Sequence, residues 1–362
     1  MSPDALRTVG GAARAVPRRL PSPPRPFHLG GRALPDQLTP LLLVGTGAMS
    51  GAYAKVLKAL GQPFVAAGRG AERAEAFARE WGVEAGHGPL AEQIARFGTV
   101  PETAIVAVSA VNLAEATAQL IEAGVRRLLV EKPVALNQAD AEKLDALARN
   151  AGAEVHVAYN RRFYASVEAA RKIIDADGGV LSVKFDFTEA RTRIEALNKD
   201  PAELSGWLYG NSTHVIDLAF FLGGHPKTIF AQSRGGLAWH PSGAIFTGCG
   251  TTDKGADFSY HANWLAPGRW GVEVMTAKSR LVLQPMEQLF LQNQQSFAVE
   301  AVAIDDALDK EFKPGLYRQT EAFLSGKPDP RLMSLSEQAK AFKDYTVIRD
   351  GNISNFEGEN RS

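Results

Sequence analysis

The sequence predicts an α/β domain with a parallel sheet, followed by an α+β domain built on an open, mostly antiparallel sheet. Three observations carry that reading. Residues 41–44, Leu-Leu-Leu-Val, are an unbroken apolar run suited to a strand buried on both faces. Strand-like and helix-like stretches alternate from there to about residue 159, and right-handed crossovers turn such alternation into a parallel sheet. Beyond residue 180 the period drops to two. Val183, Phe185 and Phe187 alternate with Ser182, Lys184 and Asp186, as in a strand with one wet face.

The chain has 362 residues, 45% of them apolar, enough for a sizeable core and about two domains. Lys plus Arg equals Asp plus Glu, 40 each, so the overall charge points to neither nucleic acid nor an anionic membrane. The single cysteine, Cys249, excludes an intrachain disulfide and a cysteine-built metal site, and suits a reducing, cytoplasmic setting. The 7 histidines show no ligand spacing, so no metal is expected. No apolar run is long enough for a transmembrane helix.

Residues 1–38 read as a disordered arm, rich in arginine and broken by prolines. Three alternatives compete with that. One is a twin-arginine signal at Arg18-Arg19, although no apolar region follows. Another is a nucleic-acid-binding arm, although only one aromatic residue, Phe27, falls among the arginines and no basic fold stands beside them. A start codon placed too far upstream would also explain the segment. Residues 39–158 are then expected to form a dinucleotide-binding domain, and 159–362 the α+β domain.

After the run 41–44 come Gly45 and Gly47, then Met49, Ala52, Tyr53, Val56, Leu57 and Leu60 at helical spacing. Glycines at a strand-to-helix turn leave the N–H groups of the helix start, at Ala48 and Met49, free to hold an anion such as a pyrophosphate. The pattern is Gly45-x-Gly47-x-x-Ser50-Gly51, with serine at the third glycine of the usual fingerprint. A plain structural turn is the other reading. A second strand at 64–67 ends in Gly68-Arg69-Gly70, without the acid that receives the ribose of NAD. A guanidinium there, with Arg73 near, suits a 2′-phosphate, so NADP is favoured and NAD is the alternative.

Helices follow at 71–81 and near 91–97. A strand at 104–108 ends at Ser109 and Asn112, which either line the cofactor cleft or cap a helix. A strand at 128–130 ends in Glu131-Lys132-Pro133, where Lys132 can donate to a substrate oxygen beside a nicotinamide. Asn137 can cap the next helix. A strand at 155–159 leads into Asn160-Arg161-Arg162, where paired arginines either clamp a carboxylate or phosphate or bridge the two domains. In the second half, strands are expected near 183–187, 227–232, 244–251, 256–264, 271–276 and 280–284, with helices near 212–222 and 317–324. Glu189 either reaches the same cleft or is an exposed strand end. Trp264 and Arg269 either face a sugar or belong to packing.

Gly45-x-Gly47, then Glu131-Lys132-Pro133, then a second sheet-forming domain resembles the Gfo/Idh/MocA oxidoreductases, over residues 40 to about 350. The resemblance implies a Rossmann domain plus an open-sheet domain. It also implies NAD(P)-dependent hydride transfer on a sugar, sugar nucleotide or cyclitol, and a homo-oligomer paired through the open sheet. Lys132 matches the family's lysine. The family often carries Asp-x-x-x-His at a helix start in the second domain; His214 matches the histidine, Gly210 stands at the aspartate, and Asn211 is the nearest polar residue. Lys132 and His214 are therefore the expected catalytic pair, with Asp217 as a possible orienting partner for the imidazole. A non-catalytic NADP sensor of the same fold is the alternative that the missing aspartate raises.

Overall fold

The computed structural model describes residues 40–96 and 100–352; the arm at 1–38 and Phe97 lie outside the described residues. The first sheet is built from β1 (Leu41–Val44), α1 (Ala48–Ala59), β2 (Phe64–Gly68), α2 (Ala71–Trp81), β3 (Ala85–His87), α3 (Leu90–Arg96), β4 (Thr103–Val106), α4 (Ala110–Ala123), β5 (Arg127–Glu131), α5 (Gln138–Ala151) and β6 (Glu154–Ala158). These strands pair in parallel in the order β6-β5-β4-β1-β2-β3. The connections run outward in opposite directions from β1 and β4, so a crevice opens beyond Val44 and Val106.

The apolar run of β1 has its reason in the packing. Leu42 and Val44 enter one core cluster, with Leu120, Leu128 and Leu144, while Leu41 and Leu43 enter another, with Tyr53, Leu57 and Phe323. Both faces of the strand are covered, so neither can be polar. Asn137 caps α5 as expected, its side chain accepting from the Asp140 N–H at 2.9 Å.

A 3₁₀ turn at Asn160–Phe163 then leads to α6 (Ala165–Asp177), β7 (Ser182–Asp186), α7 (Arg191–Glu195) and α8 (Pro201–Ser205). A π-helical turn at Leu208–Ser212 feeds α9 (Thr213–Gly223). The second sheet adds β8 (Pro226–Arg234), β9 (Ile245–Thr252), β10 (Asp257–Asn263), β11 (Gly271–Met275), β12 (Ser279–Leu283), β13 (Phe290–Asn293) and β14 (Glu300–Ala301), in the order β14-β13-β12-β11-β7-β10-β9-β8. Its pairs are antiparallel except β7 with β10.

The period-two reading of β7 holds: Val183, Phe185 and Phe187 are buried and Lys184 is exposed. Phe185 packs its ring against Tyr260 at 5.4 Å and Phe220 at 5.6 Å. Phe220 belongs to α9, which lies on β7 and β11 and is buried along nearly its whole length.

The chain closes with α10 (Ala307–Glu311), α11 (Leu316–Leu324), β15 (Met333–Ser334) and α12 (Leu335–Asp350). β15 pairs antiparallel with β6, so the first sheet is not wholly parallel: its seventh strand comes from the far end of the chain. Neither β15 nor α12 is foreseen in the sequence reading. α12 packs on both α5 and β8, and its buried side chains mix Phe342 and Ile348 with Gln338, so no clean apolar stripe marks it. Among the described residues, no helix is long and apolar enough to cross a membrane.

Phe185→Ala is expected to lower unfolding free energy by about 3–5 kcal/mol through the cavity it leaves. Urea denaturation with an unchanged m-value would show it.

Candidate active site

The glycine turn meets the end of β4. Gly45 has φ +118, and a Cβ there would lie 2.4 Å from the Ala107 carbonyl oxygen, so no other residue fits. Ser50 is fully buried and donates its hydroxyl to the same carbonyl at 3.2 Å. Serine in place of the third glycine thus fastens α1 to the strand end. Gly47 is the N-cap of α1, with no side chain capping it and no acid in the first turn, so the N–H groups from Ala48 onward remain available to an anion.

A cleft of about 510 Å³ opens here, with Gly45, Gly47, Arg69, Arg73, Ser109 and Asn112 on its walls. Glu115 is the one carboxylate among its lining residues. The Asn112 amide donates to the Ser109 hydroxyl, so Ser109 occupies the N-cap of α4 without capping it. Gln93, absent from the sequence reading, donates to the carbonyls of Gly68 and Gly88 at 2.9 and 2.8 Å and holds the end of β2 in place.

A second cavity, of about 860 Å³, shares Arg69, Ser109 and Asn112 with the first. Met49, Glu131, Lys132, Asn160, Arg161, Asn211 and His214 all line it. Lys132 from the end of β5 and His214 from α9 therefore face one space. The corner that aims Lys132 has a cis Lys132–Pro133 bond and Val134 at φ +69, a region β-branched residues avoid. Lys132 donates to the carbonyl of Gly210 in the π-helical turn. Tyr53 donates to Glu131 at 2.9 Å.

Burial lowers the Lys132 pKa to about 8, with Arg161, Lys199 and Lys313 adding to the effect against Glu131. Burial also holds His214 well below the usual imidazole range, reinforced by Arg161, Lys132 and Lys313. The imidazole is thus neutral at physiological pH, and among the described residues its Nδ1 has no partner.

Other expected site residues lie elsewhere. Arg162 is buried and forms a bidentate pair with Asp217, at 2.9 and 2.6 Å. It faces away from the second cavity, and Asp217 is consumed by it rather than orienting His214. Trp264 is buried, donates to the Phe187 carbonyl at 3.2 Å and stacks on Trp239. Arg269 is exposed and outside the cavity lining. Both belong to the sheet and its surface, not to the cavity.

The model of the oxidoreductase family with an NAD-binding Rossmann fold, Gfo/Idh/MocA, matches residues 40–159. The Rossmann half of this chain belongs to that family. An uncharacterized oxidoreductase of Escherichia coli K12, YhhX, is 33% identical over 116 residues, 32% of this chain and 33% of the relative. That match spans about a third of the relative's length. The fold continues through the second sheet. A levoglucosan dehydrogenase in complex with NADH and levoglucosan aligns with a TM-score of 0.69 at 20% identity, covering 86% of this chain and 96% of its own. The UDP-N-acetylglucosamine 3-dehydrogenase GnnA from Acidithiobacillus ferrooxidans aligns with a TM-score of 0.66 at 16% identity, covering 85% and 96%.

The second half also supplies a buried carboxylate, Glu189, which the sequence leaves between a cleft residue and a strand end. Glu189 is 6% exposed, not a free strand end. It accepts from the Asn211 amide at 3.1 Å and from the Ser212 hydroxyl at 2.8 Å. Burial raises its pKa to about 7, against the hydrogen bonds from Ser212 and Asn211. Gly210 leaves a place for an acid beside His214; Glu189, from the strand end across from it, reaches the same turn.

Two outcomes follow for stability. Arg162→Met strands a buried Asp217 and is expected to cost about 3–5 kcal/mol in denaturant titrations, most of it recovered by adding Asp217→Leu. Glu189 keeps its proton in the native state up to pH about 7, whereas the unfolded chain releases it near 4.5. Stability should therefore fall by up to about 3 kcal/mol from pH 4.5 to 7, and Glu189→Gln should flatten that slope.

Proposed function

We propose that the protein is an NADP-dependent oxidoreductase that moves a hydride between the nicotinamide and a CH–OH carbon of a sugar-type substrate. The observation that carries this is the shared cavity: Lys132, at the end of β5, and His214, on α9, face one space that shares lining residues with the glycine-turn cleft. The name of the matched family and the substrates named for the structural relatives support the same class.

The cleft suits a dinucleotide. Gly45 and Gly47 clear the backbone, the uncapped start of α1 offers donors to a pyrophosphate, and Arg69 and Arg73 suit a 2′-phosphate. When bound, the nicotinamide supplies the hydride acceptor or donor. The chain supplies the rest. The Lys132 ammonium hydrogen-bonds the reacting oxygen and stabilises negative charge as it develops. The neutral His214 takes the hydroxyl proton in the oxidising direction and returns it in the reducing one. Glu189, held by Asn211 and Ser212, keeps the turn before His214 in position. Residues 39–158 would bind cofactor, and the part from 159 onward would bind substrate. The open face of the second sheet, with Phe230, Cys249, Ser259 and Lys184 in one exposed row, is where a second copy would pair.

Lys132→Met should reduce turnover by on the order of 10²–10⁴-fold while NADP affinity changes little. In the wild type, kcat/KM should fall as pH rises past about 8, where Lys132 loses its proton. Nicotinamide absorbance with a panel of sugars and sugar nucleotides, alongside NADP titration, measures both. Equal loss of turnover and cofactor binding would overturn the role of Lys132, and tight NADP binding with no turnover on any sugar would favour a sensor.

A further inference from the structure

The 3₁₀ turn after β6 presents two consecutive arginines with opposite fates. Arg162 turns inward and is neutralised by Asp217. Arg161 turns to the second cavity, and among the described residues its guanidinium has no ion pair and its Nε is buried without a hydrogen-bond partner. Its centre lies 5.1 Å from the centroid of the Trp270 ring and 5.9 Å from that of Tyr164, within cation–π range. Trp270 lies 6.1 Å from the His214 ring, so the same wall touches both the arginine and the imidazole.

A second cation, Lys313, lines the same cavity, and its ammonium makes no ion pair or hydrogen bond among the described residues. Its loop is pinned to Arg161's turn: Asn160 donates to the Pro314 carbonyl at 2.9 Å, and Gly315 packs so closely that a Cβ would lie 2.0 Å from the Asn160 carbonyl oxygen.

The carboxylates that line the cavity are already engaged. Glu203 holds Lys199 at 2.8 Å and the Ala110 N–H. Asp200 caps α8, and Glu131 receives the Tyr53 hydroxyl. Glu131, Glu189 and Glu287 are near enough to Arg161 to be felt, but none hydrogen-bonds it. A largely buried guanidinium without a partner is costly to the fold, and a fork of planar donors suits an oxyanion.

Building on the oxidoreductase reading above, we propose that the substrate carries an anionic group, a carboxylate or a phosphate, that Arg161 and Lys313 bind beside the reacting carbon. Such a group would also offset the surrounding positive charge that opposes protonation of His214.

The test uses the full chain loaded with NADP and three probes: glucuronate, glucose 6-phosphate and glucose. Binding is read by calorimetry and turnover by nicotinamide absorbance. At least one acid should bind at least about tenfold tighter than glucose, and the tighter one identifies the oxyanion. Arg161→Gln, and separately the exposed Lys313→Ala, should reduce that preference by about tenfold, and added salt should weaken the acid more than glucose. The proposal fails if glucose binds as well as both acids, if neither acid binds, or if the variants weaken all three probes alike. Acid binding that depends on Arg161 without any turnover would uphold the subsite and sink the oxidoreductase reading. Turnover of glucose with no preference for an acid would do the reverse.

Discussion

The buried pair between Arg162 and Asp217 is the constraint on which the site depends. Arg162 sits in the turn that leaves the last parallel strand of the first sheet; Asp217 sits one turn into α9 on the second. Two hydrogen bonds at 2.9 and 2.6 Å, away from solvent, fix that helix against that strand end. His214 is three residues before Asp217, so the pair sets where the imidazole points. A buried ion pair adds little net stability compared with apolar side chains of the same shape, but it tolerates few alternative arrangements. Here the arrangement it selects puts His214 and Lys132 on one cavity.

The charge in that cavity is unbalanced in one direction. Lys132, Arg161, Lys199 and Lys313 crowd a partly desolvated space, and among the described residues only Lys199 of these four forms an ion pair, with Glu203. Burial, reinforced by the neighbouring cations, lowers the proton affinity of Lys132 and of His214, while burial pushes Glu189 the other way. Three groups thus have proton affinities displaced from their ordinary values within one small region, which is the pattern expected where protons are exchanged with a ligand.

Much of the fold was legible because local chemistry and packing agree. The run Leu41–Val44 is apolar because both faces are covered, Asn137 caps the helix it precedes, and Phe185 and Phe187 alternate with wet neighbours. The site was legible where a motif fixes position, as at Gly45 and Lys132. It was not legible where a partner comes from far along the chain. Nothing local tells Arg161 from Arg162, since only the fold brings Asp217 to one of them. Glu189 reads as either a cleft residue or a strand end until the π-helical turn folds over it. α12 was missed because it packs on two different surfaces, although Ser334 and Glu337 form a capping box that marks its start.

The return of β15 and α12 to the first sheet has a consequence for how this architecture can be divided. A cut near residue 159 looks natural along the sequence, yet the outer edge of β6 is closed by Met333 and Ser334, and the flank of α5 by α12. The half built on the first sheet is therefore discontinuous in the gene. A chimera that grafts residues 40–159 onto a foreign partner would expose a bare sheet edge and an uncovered helix, so recombination between relatives should preserve function only when both segments travel together.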